Sequence, residues 1–270
     1  MKISFCLITL NEAANLARCL RRCADLADEI VVVDSGSTDG TEGIARDFGA
    51  RWVSQAWLGF VGQKNLALSL ATHEWVFSLD ADEELSAELR AEIGRLKADG
   101  TSQKAASPIP PTPVSGYRVP RCVFYEGRWI RHGDWYPDWL VRLFRKEGAR
   151  FVGSKVHERL EIASGQVATL TGELHHYSFR DSADHWARCQ QYAQLWAESE
   201  REAKRTAWLG APMFHAVSRW LRGYVWRRGF LDGSPGWRIA WMNAREAHLK
   251  YRLLREGTTT RGGRGKTGCN

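Results

Sequence analysis

Residues 75–85, Trp-Val-Phe-Ser-Leu-Asp-Ala-Asp-Glu-Glu-Leu, form a short apolar run that stops on two carboxylates, Asp80 and Asp82, spaced i and i+2. An apolar run of this length before a polar turn reads as a buried strand, and its C-terminal end is where the carboxylates fall. Upstream, residues 3–9 (ISFCLIT), 29–34 (EIVVVD) and 51–53 (RWV) have the same character. Helical spacing lies between them: Asn15, Leu16, Leu20 and Cys23 after Asn11, which reads as an N-cap, then Ile44, Ala45 and Phe48, then residues 63–71. Residues 85–97 read as an amphipathic helix. Strands that alternate with helices predict an α/β fold with a mostly parallel, right-handedly wound sheet, whose ligands sit at the carboxyl ends of the strands.

Those strand ends carry the candidate chemistry. Thr9, Asn11 and Glu12 close the first strand, Asp34 the second and Asp80 the fourth. Each alone is an ordinary position for a helix cap, but all of them at one rim make a carboxylate-lined pocket. Mg²⁺ or Mn²⁺ prefers oxygen ligands and typically takes one or two carboxylates plus substrate phosphates, so Asp80 and Asp82 are the candidate metal ligands. Glu83 and Glu84 have a simpler reading as acidic residues favoured by a helix N-terminus. The turn Asp34-Ser35-Gly36-Ser37-Thr38-Asp39-Gly40 has neither the GxGxxG spacing of a dinucleotide fold nor the GK[ST] of a P-loop. Asp34 is placed instead to accept from the N–H of a uracil-like base, with Ser35 beside it. A Gly-x-Ser-x-Gly hydrolase elbow is absent.

Residues 3–20 (ISFCLITLNEAANLARCL), 29–41 (EIVVVDSGSTDGT), 62–68 (GQKNLAL) and 75–85, in that order and spacing, resemble glycosyltransferase family 2, whose members have the GT-A fold. Residues 127–145 (GRWIRHGDWYPDWLVRLFR), 156–162 (VHERLEI), 174–179 (LHHYSF) and 229–237 (GFLDGSPGW) are more narrowly similar to its lipopolysaccharide core glucosyltransferase branch. The resemblance implies donor nucleotide contacts at Thr9, Asn11 and Glu12, base binding at Asp34, and a diphosphate- and sugar-bordering helix carrying Lys64 and Asn65. It implies donor ribose and divalent cation at Asp80 and Asp82. It also implies inverting transfer of a hexose, glucose from a UDP-linked donor, to a lipid-linked acceptor such as a lipopolysaccharide inner core. The Glu-Asp pair that serves as base in many members is missing; Glu158 and Asp138 are the candidates for catalytic base, Glu158 preferred. A salt bridge to nearby arginine is the competing role for both acids. Two other readings stay open: a nucleotidyltransferase acting on sugar phosphates, and a non-catalytic carbohydrate- or lipid-binding module.

The 270 residues are 44% hydrophobic, enough for a sizeable core, and carry a formal charge of +7. Residues 200–270 hold 15 Lys/Arg and 5 Asp/Glu, which leaves −3 for residues 1–199. Such asymmetry predicts an anionic partner for the C-terminal part. The expected organisation is a GT-A domain over 1–180, with a nucleotide-sugar half at 1–98, a flexible Pro-rich loop at 99–115 and a mixed-sheet acceptor half at 116–180. A basic helical region follows over 181–256, with amphipathic helices near 182–206, 212–229 and 235–255, then a disordered tail at 257–270. Phe214, Val217, Leu221 and Val225 recur at helical spacing among Arg219, Arg222 and Arg227, which predicts a face for an anionic membrane surface. Nucleic acid is not expected as a partner. The six cysteines have no metal-binding spacing, and no apolar run approaches the roughly 18–20 residues that span a bilayer. The expected location is cytoplasmic, peripheral on the inner membrane.

Overall fold

The structure is a computed structural model, and it describes residues 1–99, 113–154, 157–179 and 181–262. The expected loop core at 100–112 and the last eight residues of the tail lie outside the described residues. The chain divides into two compact units, Met1–Cys122 with Asp138–His176, and Val123–Pro137 with Tyr177 onward.

The first unit opens with β1 (Ile3–Thr9), α1 (Ala13–Arg21), β2 (Glu29–Asp34), α2 (Thr41–Asp47), β3 (Arg51–Ser54), α3 (Gly59–Leu70), β4 (Trp75–Ser78), β5 (Glu83–Leu85) and α4 (Ala87–Asp99). It continues through β6 (Val114–Tyr125), whose last residues and the hairpin strand β7 (Arg128–Ile130) belong to the second unit. β8 (Asp138–Arg145), β9 (Ala149–Ser154), β10 (His157–Ile162), β11 (Gln166–Thr169) and β12 (Leu174–His176) complete it. The sheet order is β3-β2-β1-β4-β8-β6-β12-β5, with β11 alongside β6, and β9 and β10 form a separate antiparallel pair. β1 to β4 pair in parallel, as their helical crossovers require, whereas β8 runs antiparallel to both β4 and β6. This is the α/β sheet with a mixed extension expected from the sequence.

The strands are apolar on both faces because helices or strands cover both. Ile3, Phe5, Leu7, Val32, Trp75 and Phe77 point to one core with Leu16, Leu20, Leu89 and Ile93. Their neighbours Cys6, Val31, Val33 and Val76 point to the other, with Ala67, Leu68 and Phe151. The period of two in the strands sets this division. Glu83 and Glu84 depart from expectation: they lie in β5, paired with His176 and His175 of β12, and the helix starts only at Ala87. A helix dipole therefore does not explain them. Asn11 does not cap α1 either; Glu12 occupies that position, and Asn11 stands at φ 55°.

In the second unit α5 (Ser182–Glu202) is capped by Asp181, which accepts from the Asp184 amide at 2.8 Å. His185, Cys189, Ala193 and Ala197, four residues apart, form its buried stripe. α6 (Ala211–Trp220) runs into a wider π-type turn over Leu221–Trp226 and then stops at Arg228, where φ is 57°. α7 (Gly233–Gly262) follows, six residues longer than the sequence boundary at 256. A Cβ on Gly229 would meet the Gly223 carbonyl at 2.7 Å and one on Gly236 the Gly229 carbonyl at 2.0 Å, so this turn packs backbone on backbone. Residues 123–137 belong to this unit although β6 and β7 are strands of the sheet, and polar groups of this segment are satisfied here. Asp232, 1% exposed, accepts from the His132 amide at 2.8 Å, and Asp134 is surrounded by arginines of the 219–227 stretch.

Candidate functional site

The C-terminal ends of β1, β2 and β4 converge through register. Thr9 pairs with Asp34 across β1 and β2, so the Thr9 hydroxyl donates to Asp34 Oδ1 at 2.8 Å. Asp34 also accepts from the Ser37 hydroxyl at 2.5 Å and from the amides of Gly36 and Ser37 at 2.8 and 2.7 Å. Burial opposes its charge, but these donors, led by Ser37, outweigh it and hold the carboxyl below the ordinary value. At 1% exposure and with four donors, Asp34 shapes the Gly-rich turn rather than presenting an open acceptor to a base. Asn11 serves the same turn: its side-chain oxygen accepts from the Thr38 amide at 2.9 Å, and its own amide donates to the Ser37 hydroxyl at 2.7 Å. Ser35 accepts from Gln63 at 2.9 Å.

Asp80 is the hub. Lys64 of α3 reaches its Oδ1 at 3.2 Å and Arg142 of β8 its Oδ2 at 2.9 Å. The antiparallel pairing of Phe77 with Leu143 delivers Arg142 there, one residue beyond that pair. Arg142 continues to Glu83 at 2.5 Å, and Lys64 to Glu158 at 3.1 Å. Glu83 is fully buried, and Arg121 approaches it at 3.6 Å while gripping Asp138 at 2.7 Å. Burial alone would raise the Asp80 carboxyl, yet Arg142 and then Lys64 outweigh it and hold Asp80 well below its usual 3.8. For Glu83 burial wins and its carboxyl is pushed up. Glu158 is lowered, because Lys64 overrides the effect of burial.

Asp82 is held differently. Its Oδ2 lies 3.1 Å from His176 Nε2, brought there because β12 pairs with β5. Two neighbouring ligands of an octahedral ion at about 2.1 Å would lie about 3.0 Å apart, so Asp82 and His176 fit as a pair of ligands for one divalent cation. Asp80 does not fit that role: each of its oxygens already faces a fixed cation. Among the described residues no group of three or more His, Cys, Asp or Glu is placed to hold an ion. A cation here would take the remainder of its shell from water or ligand phosphates. Glu12 completes the acidic rim, its carboxyl pushed up chiefly by burial and further by Asp82, Asp39 and Asp80.

Thr9, Glu12, Lys64, Asp80, Asp82 and Glu158 are thus drawn into one acidic rim or its supports. Asn65 is not: it clamps β9, donating to the Phe151 carbonyl and accepting from the Phe151 amide, both at 2.9 Å. Asp138 lies one arginine away, on Glu83 rather than on Asp80. Sequence reading missed Arg142, Glu83 and His176. His176 carried a signal, since it lies in a motif quoted for its resemblance, but only the β5–β12 pairing puts it opposite Asp82.

A sheet whose parallel strands end on a carboxylate rim presents that rim where open α/β sheets bind their ligands. Residues 4–157 match Glycosyl transferase family 2, and the chain belongs to that family. A glycosyltransferase of Rickettsia felis is 51% identical over 191 residues, covering 66% of this chain and 62% of that protein. One from Rickettsia typhi is 34% identical, and the chain spans about 60% of its length. The lipopolysaccharide core biosynthesis glycosyltransferase LpsC of Rhizobium meliloti is 29% identical over 94% of both chains. Among solved structures, the mannosyltransferase PcManGT of Pyrobaculum calidifontis, in complex with GDP-Man and Mn²⁺, covers 98% of this chain and 76% of its own, at 16% identity and TM-score 0.45.

Replacing Arg142 by Leu leaves the Glu83 charge buried without its main partner, and should cost about 3–5 kcal/mol in denaturant unfolding. Because the Glu83 carboxyl is already raised in the folded state, protonating it relieves the cost, so the deficit should shrink as pH falls towards 4.5. A variant as stable as wild type at neutral pH would refute the hub.

Proposed function

We propose that the chain is an inverting glycosyltransferase that moves a hexose, glucose from a UDP-linked donor, to a lipid-linked saccharide. The observation that carries this is the separation of labour at the rim: Asp80 is neutralised by Lys64 and Arg142, while Asp82 and His176 remain paired for a divalent cation, Mg²⁺ or Mn²⁺. The cation would stabilise negative charge on a departing nucleoside diphosphate. Lys64 stands beside the same carboxylate and adds a fixed positive charge there. Thr9, Asn11 and Ser35 build the turn that would border the nucleotide, with Asp34 as its internal brace.

Glu158 is the base in this reading. It is ionised, 28% exposed and one lysine away from Asp80, whereas Asp138 is tied to Arg121. Inversion needs a single displacement in which Glu158 accepts the acceptor hydroxyl proton, and no covalent nucleophile. A nucleotidyltransferase remains less favoured, since residues 9–12 do not form its Gly-rich phosphate loop. A non-catalytic module would have no need for the intact Asp82–His176 pair.

The acceptor's lipid linkage rests on the likeness to LpsC and on the helical unit. No helix among the described residues is long and apolar enough to cross a membrane. Met213, Val217, Trp220, Leu221, Trp237 and Trp241 line an apolar groove on α6 and α7, and Trp226, at the end of the π-type turn, is 86% exposed. A basic segment with this groove suits an anionic membrane surface, at the cytoplasmic face of the inner membrane.

With Mn²⁺ and a panel of nucleotide-sugars, Asp82→Ala should lose at least about 100-fold in donor turnover, and Glu158→Gln should lose transfer to acceptor by a similar factor. Near-normal turnover in Asp82→Ala would sink the assignment. In co-sedimentation with phosphatidylglycerol vesicles, Val217→Asp with Leu221→Asp should reduce binding by about tenfold or more, because two exposed apolar side chains are exchanged for charges. Unchanged binding would remove the membrane part of the reading.

A further inference from the structure

In the helical unit Asp134, only 2% exposed, draws three guanidinium groups: Arg219 Nε at 3.0 Å, Arg222 Nε at 3.2 Å and Arg227 Nη1 at 3.4 Å. Three cations on one carboxylate leave a surplus of two positive charges. Each guanidinium has five N–H donors in a rigid plane, and Asp134 offers two oxygens. It grips Arg219 and Arg222 by their Nε edges, which fixes their planes and leaves N–H donors over.

Arg219 and Arg222 line a solvent-open pocket of about 290 Å³ on α6 and α7, with Ser218, Asn243 and Lys250. Glu246 pairs with Lys250 at 2.6 Å, so the lysine is balanced and the surplus stays with the arginines. Asn243, 5% exposed, adds a side-chain amide to the lining. The remaining lining is aromatic: the His215 ring stacks on Tyr251 at 3.7 Å and 3°, and Trp196 leans on Tyr251 at 5.1 Å.

We propose that this pocket binds a phosphate monoester carried on a saccharide. A monoester has a charge of about −1.5 to −2 at neutral pH, which matches the surplus of two. Arginine forks suit phosphate oxygens in bidentate fashion, and pinned side chains lose little entropy on binding. The aromatic lining offers flat faces for the apolar side of a sugar ring, and the volume lies at the lower edge of the range for small-ligand sites. A lipid headgroup phosphate shares the charge but makes no use of the aromatic lining. The inference concerns binding alone and holds whether or not the donor site acts as proposed.

Calorimetric titration of the full chain with glucose 6-phosphate tests it, with free glucose, inorganic phosphate and phosphatidic acid vesicles as the other arms. Wild type and Asp82→Asn should bind the sugar phosphate equally, inorganic phosphate more weakly and glucose not at all. Arg219→Gln with Arg222→Gln should weaken binding by about tenfold or more. Ser218→Glu, at an exposed position, keeps every guanidinium but places a negative charge in the pocket, and should weaken it comparably. Full affinity in Ser218→Glu, or a loss in Asp82→Asn alone, would overturn the proposal. Arginine-dependent capture of the vesicles without binding of the sugar phosphate would overturn it as well.

Discussion

Two cations meeting on one carboxylate hold the first unit's site together. Lys64 from α3 and Arg142 from β8 both end on Asp80, and each passes on to a further acid, Glu158 or Glu83. Three segments distant in sequence are thereby fixed at the end of β4. A buried Arg–Glu pair of this kind adds little net stability over an apolar equivalent, but removing one partner strands the other. Its worth lies in geometry. It spends Asp80 as a structural counter-charge and leaves Asp82 to face the rim.

That division changes how a D-x-D pattern is understood here. Two carboxylates two residues apart look equivalent in the sequence. In the fold the first has a fixed cation on each oxygen, and the second faces an imidazole from β12, the strand paired with β5. Asp34 shows the same shift: read as an open acceptor, it is in fact the brace of the turn that follows it. The same residues meet at one sheet end, but each has partners that the linear spacing does not show.

The parallel half of the fold was legible because β1 to β4 have apolar runs bounded by turn chemistry, with helical spacing between them. β5 was not, since three residues, two of them glutamates, show no strand pattern, and only pairing with β12 makes them one. His176 and Arg142 were hidden for the same reason: antiparallel partners 59 to 94 residues away leave no local trace. The helical unit was read as helical, but the stop at Arg228 depends on a left-handed residue and close glycine contacts that periodicity does not report. Asn65, placed by resemblance on the donor, turned out to be needed by the backbone of β9.

The central claim is that the cation belongs to Asp82 and His176, not to Asp80. Electron paramagnetic resonance of Mn²⁺ binding in the presence of UDP tests this directly. Asp82→Asn and His176→Ala should each weaken Mn²⁺ by about 10–100-fold, while Asp80→Asn, whose cations keep Glu83 and Glu158 as partners, should shift it by less than about threefold. A loss in Asp80→Asn as large as that in Asp82→Asn would contradict the account.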